Sequence, residues 1–309
     1  MSFDPLLGLI AATHTPFNAD GSLAVHVVES QAASLAADGV QTVFICGTTG
    51  ESHSLTVDER IRMTDRWCDV TAGTDMNVVV HVGANCLADA TALAAHAAKR
   101  NVRAIAMLSP CYFKPGNVAA LVSCCQQVAA AAPGVPFYFY DIPSMTNVQL
   151  SMPEFLQQAG TKIPTLAGLK FTNPDLMAWQ KCRAVERGTS GLPYDLLWGV
   201  DEMLLAALSF GARGAVGSTY NFAAPLYHRI LQSFNAGDFD AAQQDQLLSV
   251  QLVDVLVRRG YMSSAKSLMG RLNVPVGGPR LPMVPLTPQT ADELWEELQP
   301  LLPKFRKNG

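Results

Sequence analysis

The chain has 309 residues, 49% of them hydrophobic and only 16% charged, against about 25% charged in an average soluble domain. So much apolar material excludes a disordered chain and supplies a deep core. A net charge of −4 lacks the basic field that a nucleic-acid or anionic-membrane partner requires.

Taken in chain order, short apolar runs alternate with longer helical patterns. Residues 1–17 hold no Lys or Arg, so no secretory leader is expected. The first strand candidate is 6–12, followed by a helical pattern over Leu23–Asp38. Strand two (41–46) precedes a helix over Val57–Ala72, whose start is marked by capping-box spacing from Thr56 to Glu59. Strand three (77–83) precedes Leu87–Arg100, and strand four (103–109) precedes Asn117–Ala132. The longest uncharged stretch, 115–140, contains two prolines in its second half and reads as helix, turn and strand rather than as a membrane span. Strand five (136–140) leads to a helix over Pro153–Gly160, with Ser151 and Glu154 at capping spacing. Strands six (165–170), seven (195–200) and eight (214–218) follow, and the eighth helix is expected to begin near Pro225.

Continuous apolar strands are buried on both faces, as in parallel sheets. Eight of them interleaved with helices predict a (β/α)8 TIM barrel, with 1–235 as the barrel and 236–309 as a C-terminal extension of about three helices packed on it. A doubly wound sheet is the rival, but Ala11-Ala12-Thr13-His14 is no phosphate loop. Seven scattered cysteines without a C-x-x-C pair fit reduced thiols in a cytoplasmic protein, most of them as small core residues. The six histidines show no ligand spacing, so neither a metal nor any other cofactor is expected.

Barrel active sites are built at the C-terminal strand ends. Strand two ends in Gly47-Thr48-Thr49-Gly50-Glu51-Ser52, either a plain structural turn or an amide-and-hydroxyl cradle for a carboxylate. Strand five ends at Tyr140, a packing residue or an acid/base. Strand six ends at Lys170, either snorkelling to solvent or emerging from an uncharged run as an amine of lowered pKa, able to attack a carbonyl. Strand seven ends in Gly199-Val200-Asp201-Glu202 and strand eight in Gly217-Ser218-Thr219-Tyr220-Asn221; these acids are helix-start charges or acceptors for a polyol. Together, a carboxylate cradle, a lysine nucleophile and a tyrosine are the parts that a Schiff-base aldolase for a 2-oxo acid needs.

G-T-T-G-E at 47–51, Y-D-I-P at 140–143, G-L-K-F-T at 168–172 and G-V-D-E…G-S-T-Y-N at 199–221 resemble the dihydrodipicolinate synthase / N-acetylneuraminate lyase superfamily over almost the whole chain. Within it they look most like the animal-type N-acetylneuraminate lyases. The resemblance implies that Lys170 forms the Schiff base, that Tyr140 relays the proton at the scissile bond, and that Thr48 and Thr49 hold the substrate carboxylate. It further implies that Thr172, Gly199, Asp201, Glu202 and Ser218 bind the polyhydroxylated tail. A homotetramer is implied as well, with Tyr112 near a subunit interface. Asp141 and Asn147 depart from the H-I-P-A-L-T-G pattern usual in animal lyases: the first adds a carboxylate beside Tyr140, and the second replaces a turn glycine. The expected activity is reversible cleavage of N-acetylneuraminate to N-acetyl-D-mannosamine and pyruvate. The alternatives are another pyruvate-dependent 2-oxo acid aldolase, a dihydrodipicolinate synthase-like enzyme, whose expected cation near strand five is here Met145, or a non-catalytic homologue.

Overall fold

The computed structural model describes residues 3–187 and 192–306. Its centre is a closed barrel of eight parallel strands: β1 Gly8–Ala12, β2 Thr42–Ile45, β3 Asn77–His81, β4 Ala104–Leu108, β5 Phe137–Asp141, β6 Leu166–Phe171, β7 Asp195–Trp198 and β8 Gly214–Gly217. Each strand pairs with its neighbours in sequence, and β8 closes on β1 through Gly8 opposite Gly214 and Ile10 opposite Val216. The closure excludes a doubly wound sheet.

Side-chain alternation explains why the strands read as continuous apolar runs. Ile10, Phe44, Val79, Ala106, Tyr138, Tyr140, Leu197 and Val216 fill the barrel interior. Their neighbours Val43, Val80, Ile105, Phe137, Phe139, Leu169 and Trp198 face the outer layer of helices. Neither face of a strand meets water, so polar alternation is absent.

The outer layer comprises α1 Val28–Ala37, α2 Val57–Thr71, α3 Leu87–Lys99, α4 Val118–Ala130, α5 Met152–Ala159, α6 Leu176–Arg183, α7 Leu204–Ser209 and α8 Tyr220–Ala236. The capping box on α2 is complete: Glu59 N donates to Thr56 Oγ1 and Thr56 N to Glu59 Oε2. Ser151 likewise accepts from Glu154 N at the start of α5. The uncharged stretch is divided between α4 and β5, and no helix among the described residues is long and apolar enough to cross a membrane.

Two details differ from the sequence reading. The eighth helix starts at Tyr220, five residues before Pro225, and bends at Ala223, where φ −134° and ψ 21° leave the helical region. Proline clashes with the preceding turn, so a single turn precedes the bend and the long helix follows it. Residues Glu186–Arg187 and Leu192–Pro193 form a small antiparallel ribbon, too short to carry a periodic signal.

Beyond α8 lie α9 Phe239–Val257, α10 Tyr261–Arg271 and α11 Pro288–Leu298, then a single turn at Leu302–Phe305. Thr287 caps α11. The Tyr227 and Ser249 hydroxyls, 2.8 Å apart, and the Arg229–Asp245 ion pair join α8 to α9. All seven cysteines are free, but only Cys46, Cys125 and Cys182 are buried. Cys68 of α2 is partly buried against the same core, so four of the seven pack there as expected, while Cys124 of α4, the Cys86 cap of α3 and Cys111 in the loop after β4 are partly or fully exposed.

Candidate active site

The C-terminal end of β2 turns sharply because Cys46 and Glu51 both take left-handed backbone, each at φ 55°. The turn closes on itself, with Glu51 N donating to Thr48 O (3.0 Å) and Ser52 N to Gly47 O (3.2 Å). Thr15, just beyond β1, donates its hydroxyl to Gly50 O at 2.7 Å. Neighbouring Cys46 O accepts from His81 Nδ1 at 3.0 Å, while Leu108 N donates to His81 Nε2 at 3.2 Å. These two bonds select the Nδ1–H tautomer of a neutral ring. Burial, reinforced by Arg60, holds the His81 pKa well below its usual value. Three adjacent strand ends are thereby fixed, and the His81 ring meets Tyr140 edge-on at 6.0 Å.

Tyr140 and Lys170 are register partners on β5 and β6. Lys170 is only 4% exposed, and its Nζ lies 4.0 Å from the Tyr140 ring centroid and 4.2 Å from that of Phe44. Burial lowers its pKa to about 7, partly opposed by the Asp201 carboxylate. A large fraction of the amine is therefore unprotonated at neutral pH, which is the form that adds to a carbonyl. Burial pushes the Tyr140 phenol up to about 12, against the opposing effect of the Thr48 and Thr172 hydroxyls. The Tyr140 hydroxyl and Thr48 Oγ1 are 3.2 Å apart.

Next around the ring stand the ends of β7 and β8. Asp201 Oδ2 accepts from Thr219 N (3.1 Å) and Thr219 Oγ1 (2.6 Å), and the buried carboxylate also meets the Tyr220 phenol. Burial raises its pKa despite those bonds, and burial followed by repulsion from Asp201 raises that of Glu202. The backbone must be bare here: a Cβ on Gly199 would overlap Thr172 Oγ1, and one on Gly217 would overlap Asp201 Oδ1.

Thr48, Thr49, Tyr140, Lys170, Thr172, Gly199, Asp201, Glu202 and Ser218, drawn from five strand ends, line one cavity of about 300 Å³. A larger hollow of about 610 Å³ lies at the opposite, N-terminal end of the barrel, around Phe3, Arg103 and Pro136. Size alone would select that hollow; converging groups of perturbed pKa select the smaller one.

The sequence reading missed three wall residues supplied by the C-terminal helices: Val253 and Val257 of α9 and Tyr261 of α10. The Tyr261 hydroxyl lies 2.6 Å from Ser218 Oγ. Nothing in the local pattern of an amphipathic helix marks such residues. Asp141 differs from expectation in another way. It is the last residue of β5 and points away from Tyr140, lining a separate cavity beside Asn173, which donates to its Oδ2 at 3.1 Å. Burial raises its pKa to about 6. Asn147 takes φ 51°, a conformation that asparagine tolerates, so the turn survives without glycine.

A parallel barrel with a buried, weakly basic lysine at its mouth is the equipment of an enzyme that works on a carbonyl. The chain belongs to the Dihydrodipicolinate synthetase family, whose model matches residues 5–301. Among curated relatives, it is 38% identical to the N-acetylneuraminate lyase of Sus scrofa, covering 96% of this chain and 93% of that one. It is also 38% identical to the enzyme of that name from Homo sapiens, with 96% and 92% covered. Among solved structures it resembles Proteus mirabilis N-acetylneuraminate lyase, with TM-score 0.92, 39% identity, and 96% of this chain and 99% of that one covered.

Proposed function

We propose that this protein is a Schiff-base aldolase that reversibly cleaves N-acetylneuraminate to N-acetyl-D-mannosamine and pyruvate. One observation carries the reading: the Lys170 amine, of pKa about 7, shares a single cavity with Tyr140, the Thr48–Thr49 turn and the acceptors of β7 and β8. The full-length likeness to N-acetylneuraminate lyases supports the choice of substrate.

In this reading Lys170 Nζ adds to C2 of the open-chain 2-oxo acid and water leaves, giving an iminium. The C3–C4 bond then breaks. Its electron pair moves towards the iminium as an enamine, while the C4 hydroxyl loses its proton and becomes the aldehyde of N-acetyl-D-mannosamine. Tyr140, a phenol at neutral pH, takes that proton as it passes its own to the substrate carboxylate held by Thr48 and Thr49. Protonation at C3 and addition of water to the iminium release pyruvate and restore the amine. Asp201, Glu202 and Ser218, with Thr172 and Gly199, receive the hydroxylated tail, whose O–H donors suit carboxylate acceptors. A synthase that must hold a second carboxylate would want a cation near β5; Met145 stands there, exposed.

Incubation with N-acetylneuraminate should yield pyruvate and N-acetyl-D-mannosamine in equal amounts. Borohydride with pyruvate should leave a reduced adduct on the Lys170 peptide that Lys170→Ala abolishes. An adduct elsewhere, or no pyruvate released, overturns the reading. The domain division is proposed at 235/236. The assembly is proposed to be a cytoplasmic homotetramer, with the exposed edge-to-face pair Tyr112 and Phe113 covered by a neighbouring subunit. A monomeric mass by sedimentation would refute the assembly.

A further inference from the structure

One ion pair lies outside the reacting groups and has no part in the chemistry so far. Lys266 of α10 and Glu51 of the β2 turn meet at 2.7 Å with both side chains at 0% exposure. No other ion pair among the described residues is so enclosed. Every polar atom of the pair is used: Lys266 Nζ also donates to Thr15 O (2.9 Å) and Gly278 O (3.0 Å), and Glu51 Oε2 accepts from Arg280 N at 2.8 Å. A buried pair is weak support for stability, because desolvation offsets much of the attraction. Its placement is more telling. Glu51 is the residue whose left-handed backbone closes the Thr48–Thr49 turn, and the Thr15 segment that Lys266 holds is the one whose hydroxyl grips Gly50. The same ammonium therefore binds both strips of chain that shape the turn, from a helix more than 200 residues away in sequence.

We infer that Lys266 and Glu51 are positioning residues that set the Thr48–Thr49 turn in register to receive a substrate carboxylate. This inference rests on the proposed aldolase reading and deepens it. A turn held at both edges presents its hydroxyls and amides in one geometry; displaced by about 1 Å, it loses directional bonds to the carboxylate. Lys170, on the rigid β6 strand, is unaffected. The consequence is selective: loosening the pin weakens carbonyl compounds that carry a carboxylate and spares those that do not.

The test compares pyruvate with methyl pyruvate, which has the same carbonyl and no carboxylate, by the concentration giving half-maximal borohydride-trapped adduct. In the unaltered enzyme, trapping of pyruvate on Lys170 checks the aldolase reading independently. In Lys266→Met, half-saturation by pyruvate should rise about tenfold or more, while that of methyl pyruvate stays within about twofold. Should the stranded Glu51 carboxylate prevent folding, the uncharged pair Glu51→Gln/Lys266→Met is read in the same way, with circular dichroism and thermal unfolding as the check. Equal shifts for both ketones, no shift for either, or failure of both variants to fold overturns the inference and leaves the pair a purely structural one.

Discussion

Lys170 is flanked by two aromatic faces and, among the described residues, by no carboxylate within hydrogen-bonding contact, so burial dominates its titration. That fixes a sign for the pH dependence. Below a pKa of about 7 the ammonium form prevails and cannot attack; above it the amine is free. The rate of adduct formation with pyruvate, followed with a hydride donor stable across the range, should rise through a midpoint near 7 and then level off. A midpoint near 10.5 would mean that Lys170 is solvated like an ordinary lysine. Tyr140 allows a cleaner deletion. Tyr140→Phe keeps the ring against Phe44 and His81 and removes only the hydroxyl, so it should fold, still trap pyruvate, and turn over N-acetylneuraminate roughly 10²–10⁴-fold more slowly. Unchanged turnover would make Tyr140 a packing residue. Both residues were legible in the sequence because each closes an uncharged apolar run, one residue before the strand ends. Their perturbed pKa values follow from the burial that such a strand implies.

At the scale of elements, Arg60 shows how a helix sets a strand end. It reaches from α2 into the interior, 4% exposed, and donates to Gly83 O at 2.8 Å and His81 O at 2.6 Å. Arg60→Met would strand two buried carbonyls, each worth about 1–3 kcal/mol when unpaired, but would also end the burial of a guanidinium that lacks a direct carboxylate partner. The expected net loss is about 1–3 kcal/mol, read as a lower urea midpoint at unchanged slope. An unchanged midpoint would mean that burying the charge costs as much as its bonds return. Such couplings separate what a sequence discloses from what it hides. The eight strands were readable because burial on both faces leaves a local apolar run, and the start of α2 because its capping box spans only four residues. The bend at Ala223 was not foreseen, since Pro225 is as compatible with a helix start as with an interior break. The roles of Arg60, Tyr261 and Lys266 were hidden altogether. Each depends on a partner fixed by the closed barrel, such as Glu51 for Lys266 at 215 residues' separation, and no local pattern encodes it.

Across the whole molecule, the cavity is divided between parts of the chain that carry different tasks. The β2 turn faces Lys170 of β6 across the barrel mouth, Tyr140 of β5 stands beside Lys170, and the ends of β7 and β8, backed by α9 and α10, form the wall that follows β6 around the ring. In the proposed reaction a small 2-oxo acid engages only the β2 turn, Lys170 and Tyr140, whereas a nine-carbon sugar acid also reaches the ends of β7 and β8. The two ends should therefore fail independently. Asp201 is the residue on which to test this, because its carboxylate lines the cavity while being held to the start of α8 by Thr219. Asp201→Asn retains the shape and an oxygen for the Thr219 donors but removes the charge that strengthens a bond from a sugar hydroxyl. Hydrogen bonds to charged groups contribute about 1.5–3 kcal/mol, so kcat/KM for N-acetylneuraminate should fall roughly 10–200-fold. Half-saturation by pyruvate in the trapping assay should stay within about twofold, and Lys170, freed of the Asp201 charge that favours its ammonium, should titrate at a lower pH. Parallel loss of both activities would assign Asp201 to holding the β7 and β8 loops together, and those strand ends would then no longer be the seat of substrate choice.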